Sequence, residues 1–574
     1  MALRVFLLLA VLFLLLTGRE PPWADAHVVY DTTQALVHRG ELSVTLDGHP
    51  WFFAVRGGRK YGVFPLGNVL AMVPSYVAFL GLRATGLFPR QPLFAFASHL
   101  SPALLMALCG ALFYRLLRRS EAPPRAALGL TLVLAFSTLC LVYARSPYSE
   151  ALQTALLLWL VAATLDQSQR LRTFGMISLG AAAGCLFNAK LVNALLLPVP
   201  LAYLVYQHIY SPRQQGARVD WRGVLGGALA GLLAFLPFVA LALWHNRLKT
   251  GSLWDSGYRM QEGLFSGDLW PGIYGFLFST GKGMFFYSPP LLLGVLGLPT
   301  AWRRRPAETA LLCGLMAVTL LFNSKFRIWH ADYCWGPRHL TSLCPLLLLL
   351  CWPWLPEALA RGRRRLRVLA LWSLVAAGVV VQVLGASVYW DHYIRVLIAV
   401  KDQTGAAGWF HESLSHGHYI PQFSPIRGHL WLLSHLVRRD PDLAADVPWR
   451  LIVPQKVELR ERWSALRGDL WALEFLAVYP PASGPPRVVA APPRTATPAA
   501  PDMAKTPAPP IGPPRPALAP RQALAPRPVP IPVLPPRESR LSGAASVAVL
   551  GGALWGAALV LVLSLRRRLR REEG

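Results

Sequence analysis

Apolar runs of about 18 residues or more recur along this chain from end to end, and each is long enough to cross the hydrocarbon core of a bilayer as a helix. So many runs cannot all be buried in one water-soluble core. In lipid, every backbone amide and carbonyl must be paired within its own segment, which leaves helices as the spanning elements here. The expected fold class is an all-α integral membrane protein. Apolar segments are read near 3–16, 62–82, 93–117, 126–143, 150–165, 174–188, 190–207, 223–244, 286–302, 306–322, 338–355, 368–390 and 544–565, about 13 in all. The first is read as an uncleaved span, because no small-x-small cleavage site precedes Arg19-Glu20 cleanly.

Charge supports this class. Only 15% of the residues are charged, well below the usual share of about 25% for a soluble domain. Lys and Arg number 57 against 29 Asp and Glu, a net charge of +28. In a soluble protein that excess would point to nucleic acid. Here the cations gather in short loops between apolar runs, as the positive-inside rule requires, and no nucleic-acid partner is expected. Arg115 to Arg119, Arg170 to Arg172, Arg303 to Arg305, 361–367 and 566–571 mark the cytoplasmic face. The loops at 145–150, 245–285 and 323–337, and the stretch 390–540, then face outward. The alternation is consistent from residue 115 onward. Upstream there is one crossing too many, so one early segment is expected to be re-entrant, split or cleaved.

The expected organisation is a bundle over 1–390, whose first external loop is 18–61, and a mixed polar and aromatic external region at 391–479. A Pro-rich linker follows at 480–540, then a C-terminal span at 544–565 and a basic cytoplasmic tail at 566–574. The linker holds 21 of the 50 prolines; with few donors and little apolar density it should be extended and disordered. The seven cysteines form no C-x-x-C pair and no disulfide framework, and are read as structural thiols.

Chemistry in a membrane bundle concentrates where polar residues interrupt it. The first external loop carries Asp25 and Asp31 ahead of a helical pattern, then Arg56, Arg59, Lys60 and Tyr61 in a Gly-rich turn leading back into the membrane. Asp25 ahead of Ala35-Leu36-Val-His-Arg-Gly40, and Arg59-Lys60-Tyr61-Gly62 through Gly67 to Pro74, are the first two of six ordered motifs. The others are Arg145-Ser-Pro147-Tyr148-Ser149-Glu150, Ser279-Thr-Gly281-Lys282-Gly283 through Pro289, Trp335-Gly336-Pro337-Arg338-His339-Leu340, and His418 through Pro421, Ser424-Pro425 and Gly428-His429.

In these motifs, over about residues 1–435, the chain resembles the lipid-carrier-dependent glycosyltransferases of the GT-C superfamily. It is most similar to bacterial members of the dolichyl-phosphate-mannose-protein-mannosyltransferase type and to the aminoarabinose transferase of lipid A. The resemblance implies a GT-C-like helical bundle that moves a sugar from a polyprenyl-phosphate donor to an extracytoplasmic protein, lipid or polysaccharide. One departure stands out: many relatives carry Asp-Glu at the first site, whereas Ala26 follows Asp25 here.

Such a reaction needs a carboxylate to accept the acceptor's proton and cations to stabilise the departing lipid phosphate. Asp25 is the candidate general base. Arg59, Lys60, Arg338, Lys282 and Arg56 are candidate phosphate ligands, with Arg favoured for its bidentate geometry. Asp31, Tyr61, Glu150, His330, Asp332 and His339 are candidates for acceptor binding or support. Bland readings stand beside these. Asp25 and Glu150 suit helix caps, Asp31 a solvated or helix-pairing role, and Arg59-Lys60 lipid headgroups. His330 with Asp332 is too little for a metal site. No cofactor is required, since the donor carries a single phosphate; a divalent metal has no support in the sequence. Arg-, Ala- and Pro-rich usage points to a bacterial plasma membrane, with the site facing the periplasm or exterior. A transporter or flippase for lipid-linked sugars is the rival reading, and a non-catalytic scaffold the third.

Overall fold

The computed structural model describes residues 1–18, 25–46, 52–86, 90–258, 265–331, 333–360, 364–404, 416–438 and 447–450, together with Asp469 and Val560. The chain divides into one unit of Met1–Tyr479 with Ser539–Gly574, and a second, Pro480–Glu538. The second unit, the expected linker, lies outside the described residues, as do the basic tail and, apart from Val560, the expected last span.

The described chain is helical throughout most of its length. Its first elements are α1 (Ala2–Leu15), α2 (Asp25–Arg39), strands β1 (Ser43–Val44), β2 (Phe53–Arg56) and β3 (Arg59–Gly62), then α3 (Leu66–Ala84) and α4 (Arg90–Arg119). After these come α5 (Pro124–Ser137), α6 (Cys140–Tyr143), α7 (Glu150–Asp166) and α8 (Thr173–Ala189). Among the described residues six stretches are long and apolar enough to cross a membrane: Leu66–Ala84, Ser98–Arg119, Leu191–Gln214, Trp221–Thr250, Pro306–Ser324 and Arg365–Ser387. Ala2–Leu15, Pro124–Ser137, Thr173–Ala189 and Leu269–Phe278 are shorter apolar helices. The protein is thus a multi-pass helical membrane protein. Only 6% of the most apolar window in the Trp221–Thr250 helix is buried inside the protein, so this helix is largely peripheral and packs on α8 along one side.

Small residues set the close helix contacts, as expected where lipid removes the hydrophobic drive for association. A Cβ on Gly110 of α4 would lie 2.2 Å from Leu9 Cδ1 of α1. A Cβ on Gly180 of α8 would lie 2.1 Å from the Gly231 carbonyl oxygen, and one on Gly184 would lie 2.4 Å from the Phe238 ring. These approaches press α8 and the Trp221–Thr250 helix together.

Several apolar segments are broken rather than continuous. The 190–207 segment opens as a 3-10 turn, Leu191–Leu196, before a helix at Pro198–Val205, because Pro198 and Pro200 supply no amide to an earlier turn. The 286–302 segment is interrupted at Pro289-Pro290 and resumes at Leu292–Arg304. The 338–355 segment is a 3-10 turn, Arg338–Leu340, followed by the short helix Leu343–Leu349. Gly336, at φ +60°, and Pro337 precede that turn and prevent a helix from running into it.

The loop between α2 and α3 adds a small sheet to the otherwise helical fold. Its three strands form an antiparallel sheet in the order β1-β3-β2, with Ser43 opposite Tyr61 and Val55 opposite Lys60. Gly57 and Gly58 link β2 to β3 at φ +56° and +76°, the left-handed pair that a two-residue hairpin turn of type I′ needs. The described parts of 391–479 are not a separate body. Tyr393, Phe423, Trp431 and Trp449 belong to the same buried cluster as Trp335 and Tyr287 of the bundle, so this region caps the bundle.

Candidate active site

The 3-10 turn after Gly336-Pro337 carries Arg338 into a cluster assembled from distant parts of the chain. Its Nη1 donates to Asp25 Oδ2 at 3.5 Å, and its Nε lies 3.9 Å from Glu150 Oε1. The guanidinium carbon sits 4.9 Å from the centre of the Tyr148 ring, a cation–π distance. Asp25 is the first residue of α2 and Glu150 the first of α7, so both carboxylates stand at the positive end of a helix dipole. Tyr148 is held by its hydroxyl, which donates to the Tyr333 carbonyl at 3.5 Å. Burial, reinforced by the Asp25 carboxylate and opposed by Arg338, holds the Tyr148 phenol well above its ordinary range.

Several polar atoms here are buried without a hydrogen-bond partner: Asp25 Oδ1, Glu150 Oε2, Arg338 Nε and His339 Nδ1. Buried polar atoms are nearly always paired, so their convergence at one place marks a surface shaped for a polar ligand. Beside them a small cavity opens, lined by Glu150, Gln153, Lys190, Asn193, Arg338 and His339 among others.

Other residues singled out in the sequence fall elsewhere. Arg59 pairs with Glu41 at 3.5 Å on the hairpin surface. Arg56 donates to the carbonyls of Arg247 and Leu248, where a cation suits the negative end of the Trp221–Thr250 helix. Lys60 and Tyr61 occupy the central strand β3. Lys282 is fully buried, and its Nζ donates to the Cys334 carbonyl at 2.8 Å and contacts Cys334 Sγ at 3.1 Å. Asp31 Oδ2 accepts from the amides of Thr45 and Leu46 at 3.1 and 3.2 Å, tying the exit of β1 to α2. His330 packs edge-on to Trp329 and tilted against His418 at ring distances of 5.4 and 4.8 Å. Asp332 lies outside the described residues. Among the described residues no group of three or more His, Cys, Asp or Glu is placed to hold a metal ion.

No family model and no curated protein matches this chain. Among solved structures it is similar to ArnT from Cupriavidus metallidurans bound to undecaprenyl phosphate. The identity is 17% and the TM-score 0.41, over 77% of this chain and 81% of that one. The same protein in the apo state gives 16%, 0.42, 77% and 80%.

Two lining residues were legible in the sequence only as interruptions. Lys190 opens the apolar segment read at 190–207 and Asn193 lies within it, and a lysine there is costly unless it faces a cavity or a partner. That cost was the signal. Tyr148 was read as part of a motif without a role, which the Arg338 contact now supplies.

Proposed function

We propose that this protein transfers a sugar from a polyprenyl-phosphate donor to an acceptor on the outer side of a bacterial plasma membrane. The observation that supports this most directly is the 3.5 Å contact between Asp25 and Arg338, the residues that the sequence nominates as base and as phosphate ligand. In this reading Asp25 takes the proton from the acceptor hydroxyl or amine as that group attacks the anomeric carbon. The bond from the anomeric carbon to the phosphate oxygen breaks, and the lipid phosphate leaves with the electron pair. Arg338 meets the charge that grows on it. Asp25 then carries the proton, and its pairing with Arg338 loosens as Arg338 turns to the phosphate. Tyr148, neutral under the ring-stacked guanidinium, keeps Arg338 oriented. The six ordered motifs and the outward assignment of their loops add to this reading.

The test is label release. Purified protein in detergent is incubated with radiolabelled polyprenyl-phosphate sugars and a membrane extract as acceptor. Label should leave the lipid fraction with wild type and not with Asp25→Asn. Full transfer by a folded Asp25→Asn protein would remove Asp25 as the base. Tight donor binding with no release from any donor would favour a transporter or scaffold.

A further inference from the structure

Lys190 has no part in the reaction as drawn, yet the backbone that carries it is held by specific contacts beside the site. It follows α8 in an extended conformation, φ −159° and ψ 121°, and precedes the 3-10 turn Leu191–Leu196. Irregular backbone in a membrane bundle is tolerated where it is buried in protein or lines a cavity, and Lys190 lines the same cavity as Glu150, Arg338 and His339. Two packed elements and the turn's own first hydrogen bond hold the break in place. Asn68 Nδ2 of α3 donates to the Ala189 carbonyl at 2.9 Å. A Cβ on Gly67 would lie 2.5 Å from the Asn188 carbonyl oxygen, so α3 sits directly on the end of α8. Asn188 Nδ2 donates to the Phe238 carbonyl of the Trp221–Thr250 helix at 2.8 Å, and the Asn193 amide bonds to the Lys190 carbonyl at 2.9 Å. The chain spends a set of specific contacts on presenting one ammonium to one cavity.

The ammonium is electrostatically coupled to Glu150, Arg338 and Asp25. Without a ligand, two cations and two carboxylates balance. A phosphate entering this cavity needs cations to meet its charge, and Arg338 and Lys190 both line it. We infer that Lys190 is a second cationic ligand of the donor phosphate, beside Arg338. This rests on the function proposed above. The simpler role for Lys190 is counter-ion to Glu150 and nothing more.

Binding of a sugar-free polyprenyl phosphate to the full-length protein in detergent separates the two roles. The variants are Lys190→Gln, Glu150→Gln and the double variant, with inorganic phosphate as a parallel probe. The double variant removes both charges together, so it escapes the strain of one buried charge left alone and serves if Lys190→Gln does not fold. If Lys190 holds the phosphate, Glu150→Gln binds at least as tightly as wild type, while Lys190→Gln and the double variant lose about tenfold or more. If Lys190 only balances Glu150, the double variant binds like wild type, and the inference is overturned. Wild type that binds no polyprenyl phosphate would instead overturn the proposed function. Equal loss with inorganic phosphate would show that Lys190 reads phosphate itself; loss confined to the lipid would show that the prenyl chain is needed to deliver it.

Discussion

Arg338 and Asp25, 313 residues apart in the chain, meet at 3.5 Å. That length is long for a charge-assisted hydrogen bond, which usually falls at about 2.7–2.9 Å. The pair is close enough to orient both side chains and weak enough for Arg338 to exchange Asp25 for another anion. Glu150 and Tyr148 fix Arg338 from its other sides.

Arg338→Lys keeps the charge but loses the planar fork and its stacking on Tyr148. Transfer should fall by about a hundredfold or more in kcat/KM with the melting temperature close to wild type. Steady-state transfer assays on the purified variant measure this. Wild-type turnover by Arg338→Lys would show that Arg338 carries no catalytic charge stabilisation.

Lys282→Met should behave in the opposite way. Its ammonium is already committed to Cys334, so the loss should appear as a lower melting temperature, with donor KM within about twofold of wild type. A large rise in KM with unchanged stability would return Lys282 to the phosphate site.

Arg145 anchors the loop that carries Tyr148 and Glu150. Its guanidinium donates to the carbonyls of Leu16, Ala386 and Asp469, and it pairs with the Asp469 carboxylate at 3.1 Å. Two of those carbonyls lie at helix C-termini, where a cation is favoured. Asp469→Ala leaves Arg145 buried with its carbonyl partners but no counter-charge, and should cost about 3 kcal/mol. Asp469→Asn should cost less. Thermal unfolding in detergent reads both, and equal losses would show that the carboxylate charge is unimportant.

His429 should make the cap acid-sensitive. The ring packs 4.4 Å from Trp335, and Nδ1 lies 3.2 Å from the Leu384 carbonyl. Burial pushes it down to about 3, whereas an unfolded histidine titrates near 6.5. Between these values the unfolded state binds the extra proton, so stability falls as pH drops from about 6.5 toward about 3, by at most about 1.4 kcal/mol per pH unit. Above about 6.5 the contribution is constant. Unfolding at several pH values for wild type and His429→Gln would show the slope flattening in the variant. An unchanged slope would assign it to other groups.

The membrane class, the multi-pass helical architecture and the positions of most helices are legible in the sequence, because the cost of an unpaired polar backbone in lipid acts locally on each apolar run. Breaks at Pro198 and Pro289-Pro290 could have been read from the missing amides. So could the hairpin at Gly57-Gly58, where two adjacent glycines flanked by alternating residues are the usual sign of a type I′ turn. The candidate site was legible only in part. Motif order nominated Asp25, Glu150 and Arg338 but also Arg59, Arg56 and Lys282, since each is a cation in a loop assigned to the same face.

The sequence by itself determined which residues can be cations and carboxylates at the outer interface, and which segments must be helices in lipid. Only the tertiary structure decided among them. Arg59 faces Glu41, Arg56 the end of a helix and Lys282 the Cys334 carbonyl, while Arg338 and Lys190 line one cavity with Glu150, and Asp25 pairs with Arg338. The physical reason is range. Backbone pairing and apolar length are settled within about 20 residues, whereas the partner of a buried charge is chosen by which distant segments the close glycine contacts and broken turns bring within about 4 Å.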